Sequence, residues 1–230
     1  KILFPRIEFD IVVIDYNSKR NDLNRINEQL SKSNLKNSII SLDINEFKNN
    51  INKINAKNEE VTLNQMSNMS NINKSLLIAK EQCKDLVYFV EDDYLHKLET
   101  MKEMIFAYER ISSQINRELI LCPTDYPYLY TKIDPSNIFL GSTKHWRTVG
   151  ETLCTFLTSK NMLEKHWEKF ISMCKFEHYP FEKPLHEIYK SEYCLSPIPS
   201  LAFHFTNINS IFGLSPNADW EKIWNDNENY

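Results

Sequence analysis

Short β-branched apolar runs alternate with segments of helical periodicity along the first half of this sequence, and that alternation restricts the fold more than any other feature. "FDIVVIDYNS" is an apolar run closed by turn-forming residues, and "KRNDLNRINEQLSK" then carries Leu23, Ile26 and Leu30 at helical spacing. "NSIISLDI" reads as a second strand and "EEVTLNQ" as a weaker third. Met69, Ile72, Leu76, Ala79 and Cys83 mark one helix face, and "LVYFV" is a fourth strand. Leu98, Met101, Ile105, Tyr108 and Ile111 line another helix before "ELILC" returns as a strand. Strands interleaved with helices of this length predict an α/β fold with a Rossmann-like, mostly parallel central sheet flanked by helices. The second half is richer in loops. "CPTDYPYLYTKIDPSN" reads as loop, "TLCTFLTS" as strand, and "KNMLEKHWEKFISMC" as a helix with Leu163, Trp167, Phe170 and Cys174 inward. The tail "SPNADWEKIWNDN" reads as a helix capped by Asp219. With no internal repeat and no Gly-, Ser- or Pro-rich linker, residues 1–230 read as a single domain.

Charge and cysteine usage remove several classes of function. A net charge of −4 gives no overall basic field, so nucleic acid is not an expected partner. Five cysteines, odd in number and without C-x-x-C spacing, imply neither a disulfide framework nor a zinc knuckle. No apolar run reaches the roughly 18 residues needed to cross a bilayer, and no charged-then-apolar leader is read at the start. The expected setting is cytoplasmic, in solution or peripherally at the inner face of the membrane.

Ligands of open α/β sheets collect at the carboxyl ends of the strands. Three of these ends carry acids: Asp15 in Asp15-Tyr16-Asn17, then Asp43, then Glu91-Asp92-Asp93 in "LVYFVEDDYLHK". Carboxylates gathered on one sheet edge repel one another unless a cation, a ribose hydroxyl or a base donor meets them. The plainer reading is that each acid marks a chain emerging into water.

In the order of these elements the sequence resembles the GT-A fold glycosyltransferases, in particular the large inverting group that uses nucleotide-diphosphate sugars. "IDYNS" stands where that family ends its first strand, Asp43 of "SLDI" where it places the acid that reads the base, and "SNINKSLLIAK" where it has the helix before the metal motif. Glu91-Asp92-Asp93 corresponds to its D-x-D signature, read here as E-x-D. The resemblance covers residues 9–95. Glu91 replaces the first Asp of the signature, and the glycine expected near Asn68 to Asn73 is missing. It implies a nucleotide-sugar-binding half over about 1–95 and an acceptor-binding half over about 96–230. Asp15, Tyr16 and Asn17 would line the nucleoside pocket, and Asn73 or Lys74 would approach the pyrophosphate. Asp93 would bind Mn²⁺ or Mg²⁺, with Glu91 or Asp92 at the ribose or at the ion's waters. For Tyr16 a place at the core edge, and for Lys74 a solvated helix lysine, remain open. So does a shifted register in which Asp15, not Asp43, reads the base.

The resemblance further implies a general base at the start of a helix after the metal motif, followed by a strand that ends in histidine. In "FEKPLHEIYKSEYCLSPIPSLAFHFT" Glu187 is the first candidate, with Glu182 and Glu151 as alternatives, and His204 closes the strand as a further metal ligand. "GSTKHWRTVGE" offers Trp146 for sugar stacking and Arg147 for a phosphate or an acceptor; its other reading is a surface loop with one packed Trp. The expected function is metal-dependent, inverting transfer of a sugar to a glycan or lipid-linked acceptor in surface polysaccharide or glycan synthesis. The alternatives are a catalytically inactive module of the same fold and a nucleotidyltransferase; "DYNSKRNDL" has no glycine, which counts against the latter. If Asp43 reads the base, Asp43→Ala relaxes discrimination among nucleotide bases, measured by calorimetry with UDP, GDP and CDP. The same effect from Asp15→Ala instead would establish the shifted register.

Overall fold

The computed structural model describes residues 7–43, 45, 52–205 and 218–229. The chain is mixed α/β and divides into two compact units: Lys1–Glu81 with Phe170–Phe181, and Gln82–Lys169 with Glu182–Tyr230. This division differs from the halves suggested by the sequence.

The first unit contains β1 (Asp10–Asp15), α1 (Arg20–Lys32), β2 (Lys36–Ser41) and most of α2 (Leu63–Gln82). β1 and β2 pair in parallel from Asp10↔Lys36 to Asp15↔Ser41. The Leu23, Ile26 and Leu30 stripe of α1 faces inward, with Leu30 buried. "EEVTLNQ" is not a strand: apart from an isolated bridge between Ile54 and Glu60, it is the start of α2. Thr62 and Gln65 form a reciprocal cap, the Thr62 amide donating to Gln65 Oε1 (2.9 Å) and the Gln65 amide to Thr62 Oγ1 (3.2 Å). This satisfies two amides that the first helical turn otherwise leaves bare, so local cap chemistry outweighs the β-branched pair.

The second unit is built on six strands: β3 (Leu86–Phe89), β5 (Leu119–Leu121), β6 (Ile138–Leu140), β7 (His145–Thr148), β8 (Phe156–Ser159) and β9 (Tyr193–Ile198). Their order is β3-β8-β5-β9-β7-β6, and the sheet is mixed. β5–β9 is parallel, while β3–β8, β8–β5, β9–β7 and β7–β6 are antiparallel. β3, β5 and β9 therefore run in one direction, with β8 inserted the other way between the first two. A separate antiparallel pair joins β4 (Tyr94–His96) to β10 (Ala202–His204). Four strands, β4, β6, β7 and β9, are absent from the sequence reading. β9 contains Pro197, which argues against a central strand; β5 pairs only with Tyr193–Leu195, so at Pro197 the strand has β7 alone beside it.

α3 (Thr100–Ile115) covers one face of this sheet, packing Met104, Ala107, Tyr108 and Ile111 against Leu119, Leu121, Leu157, Leu195 and Trp146. "KNMLEKHWEKFISMC" breaks at His166 into α4 (Lys160–Lys165) and α5 (Trp167–Ser172). α6 spans Lys183–Tyr189 and α7 Trp220–Glu228. As expected, Asp219 caps α7 by accepting from the Lys222 amide. Among the described residues, no helix is long and apolar enough to cross a membrane.

Glu103 of α3 is 1% exposed, yet its carboxylate accepts from the amides of Ser142 (3.0 Å) and Thr143 (2.7 Å), Thr143 Oγ1 (2.7 Å) and Trp146 Nε1 (3.1 Å). It pins the β6–β7 turn to the helix. Gly141 permits the approach, since a Cβ there would collide with Glu103 Oε1 and the Trp146 ring. Glu103→Ala leaves several buried donors unpaired and is expected to cost about 3–5 kcal/mol in urea denaturation, with Glu103→Gln losing less.

Candidate functional site

The acidic turn follows β3 in the second unit. The Glu91 amide donates to Thr155 Oγ1 (3.0 Å), fixing the turn to the segment that enters β8. The chain then enters β4, whose ladder with β10 aligns Tyr94 with His204 and continues as a bond from the Phe205 amide to the Asp93 carbonyl (2.8 Å). This ladder sets His204 Nε2 3.0 Å from Asp93 Oδ2. The hydrogen bond to Asp93 raises the His204 imidazole above its ordinary value, against the opposing effect of burial. Tyr94 lies against the imidazole with ring centroids 5.0 Å apart, and its hydroxyl meets that of Tyr126.

Negative charge accumulates around this pair. Burial, then Asp93 and Glu182, push the Glu91 carboxyl up to about 7, while His204 acts in the opposite sense. Glu182 is the residue that precedes the first turn of α6, and it is buried; desolvation raises its carboxyl too. Asp92 points to the exposed side of the turn.

The three base candidates occupy different environments. The Glu187 side chain is 44% exposed and takes both Lys190 Nζ contacts, at 2.7 and 2.9 Å. That lysine holds its carboxyl below the usual range. Glu151, 40% exposed, pairs with Lys132 at 2.6 Å. Glu182 alone of the three is buried, raised and close enough to Glu91 to perturb it.

Other expected residues are engaged elsewhere. Trp146 is fully buried in β7 with its indole N–H on Glu103, so its ring lies in the core and not at a sugar-binding surface. Arg147 pairs with buried Asp125 at 2.8 Å, beneath the Tyr130 ring at 4.3 Å. In the first unit, Asp15 is buried at the carboxyl end of β1 and exposed Asp43 lies just past the end of β2, so the parallel pairing brings both acids to one edge. Asp43 Oδ1 accepts from the Asn45 amide and side chain, both at 2.9 Å. Tyr16 is half-buried, and Asn17 takes the left-handed conformation at φ 60°. Asn73 hydrogen-bonds the Cys174 thiol, and Lys74 is half-buried.

No group of three or more His, Cys, Asp or Glu side chains among the described residues is arranged to hold a metal ion. A Mg²⁺ or Mn²⁺ ion that arrives with a diphosphate asks less of the protein, typically one or two carboxylates, the phosphates and water supplying the rest. The crowding of negative charge at Glu91 and Asp93 fits that requirement. Two concavities of about 330 Å³ lie against α3 and beside α7, and neither is lined by Glu91, Asp93, Glu182 or His204. Compared with models of known protein families and with curated proteins, the chain matches none.

Thr155, Tyr94 and Tyr126 belong to the surroundings of the site without any motif in the sequence to announce them. Because Asp93 raises His204, protonation of the imidazole stabilises the fold below its unfolded pKa, and this contribution is lost as pH rises through the folded value. In a metal-free NMR titration, Asp93→Asn should lower the His204 midpoint. An unchanged midpoint would show that the pair does not form in solution.

Proposed function

We propose that this chain is a metal-dependent glycosyltransferase of the GT-A fold, transferring a sugar with inversion from a nucleotide-diphosphate donor to a hydroxyl of a glycan or lipid-linked acceptor. One observation carries this reading: Asp93, Glu91 and His204 converge in the unit that also holds a buried glutamate of raised pKa at the start of a helix. That helix, α6, is followed by β9 and then by β10, which ends in His204. The family resemblance implies a base at a helix start followed by a strand that ends in histidine; here β9 intervenes before that strand. The acids at the carboxyl edge of β1–β2 agree with a nucleoside-binding role for Asp15, Tyr16, Asn17 and Asp43.

Asp93 and Glu91 would hold the divalent ion together with the donor's phosphates and water, with His204 as the neighbour of Asp93. Bound there, the ion supplies neutralisation of the charge on the departing nucleoside diphosphate. Glu182 accepts the proton of the acceptor hydroxyl as its oxygen bonds to the anomeric carbon; the bond from that carbon to the diphosphate breaks with its electron pair on the leaving oxygen. A carboxyl raised by desolvation suits this work better than one held low by a lysine, because a base is most effective with its pKa near the working pH. Surface polysaccharide or glycan synthesis at the cytoplasmic side of a membrane is the setting we infer.

Thermal shift with UDP, GDP and CDP sugars, with and without Mn²⁺, identifies the donor, because only a ligand of the folded state raises the midpoint. Asp93→Asn is expected to abolish the Mn²⁺-dependent part of that shift. Glu182→Gln is expected to bind the donor normally and lose about 10²–10⁴-fold in kcat, whereas Glu187→Gln retains activity. Donor binding without turnover in the unaltered chain would identify an inactive module, and the absence of any nucleotide response would overturn the proposal.

A further inference from the structure

The segment between β7 and β8 touches both halves of the proposed chemistry. Thr155, with no exposed surface, accepts the Glu91 amide through Oγ1 at 3.0 Å. Thr152, 1% exposed, is held from the other side by α6: its carbonyl accepts from His186 Nε2 at 3.1 Å, and its hydroxyl meets the Tyr189 hydroxyl at 2.6 Å. A carbonyl can only accept, so the His186 Nε2 must carry hydrogen. Tyr189 is tied further to the Cys194 thiol in β9. Glu182 precedes the helix that carries both His186 and Tyr189, and its carbonyl accepts the Leu185 amide at 2.8 Å.

Thr152 and Thr155 lie three positions apart in the chain, a reach of at most roughly 10–11 Å. At one end they fix the backbone of Glu91; at the other they fix the helix that begins at Glu182. Neither threonine contacts a solvent-facing surface, so neither is placed to bind substrate directly.

We propose that Thr152–Thr155 is a positioning brace that sets the location of Glu182 relative to the acidic turn, with Thr152, His186 and Tyr189 as positioning residues for the transfer reaction. The inference rests on Glu182 being the base. Loosening α6 displaces the carboxylate from the acceptor hydroxyl while leaving the donor's contacts with Asp93 in place. A misplacement of about 1 Å from a change outside the chemistry can cost about 10²-fold in rate.

The test uses the full chain and the nucleotide sugar identified by thermal shift. Thr152→Val and Tyr189→Phe are expected to lower kcat at least tenfold with the donor KM unchanged, and Thr152→Ser, which keeps the hydroxyl, to restore it. A double-mutant cycle separates positioning from general damage: in a Glu182→Gln background, Thr152→Val should produce no further loss. Additive losses, a matching rise in donor KM, or full activity in both single variants would overturn the brace. Full kcat in Glu182→Gln alone would instead remove the assignment on which it rests, so the two failures are distinguishable.

Discussion

The three-residue antiparallel ladder between Tyr94–His96 and Ala202–His204 is the contact on which the acidic turn depends. It joins parts of the chain more than a hundred residues apart and sets an imidazole beside Asp93. Without that partner, Glu91, Asp93 and Glu182 would share a desolvated region with no compensating charge from His204, and at least one would be driven to hold a proton. The proton pressure is already visible at Glu91, whose carboxyl is raised to about 7 even with His204 in place. An incoming divalent cation would relieve the same repulsion, which links the electrostatics of the turn to the chemistry proposed for it.

The surrounding framework is stiff where this arrangement needs it to be. β3, the edge strand leading into the acids, is paired along its length with β8, which β5 backs on the other side. The buried Glu103 carboxylate, met by four donors, secures the far end of the same sheet by fixing the β6–β7 turn to α3. Glu103 and Glu182, two of several buried carboxylates, therefore differ in kind. One is saturated by hydrogen bonds, and its environment accounts for it as a structural anchor. The other is desolvated at a helix start, with its carboxyl raised, and is the one proposed as the base.

The candidate residues of each unit were legible in part in the sequence, because acids at strand ends need no tertiary information to be noticed. Asp15, Asp43, Asp93 and His204 could each be singled out from an apolar run and what ends it. The ranking of Glu182 and Glu187 could not. The two lie five residues apart around one short helix, and only packing buries the first while leaving the second to Lys190. Trp146 and Arg147 show the same limit: an aromatic ring beside a guanidinium looks like a binding loop until Glu103 and Asp125 arrive from distant parts of the chain.

The sequence by itself determined the elements whose signals are local. Helical spacing set α1, α2 and α3, cap chemistry set the start of α7, and β-branched runs set β1, β2, β3 and β8. The start of α2 was encoded as well, in the Thr62–Gln65 pair. Tertiary structure alone decided strand order and direction, the admission of Pro197 to β9 where β5 no longer reaches, and the meeting of Asp93 with His204. The physical reason is the range of each interaction: propensity and capping act within a helical turn, whereas pairing direction and desolvation are set by chain segments that meet only once the fold has formed.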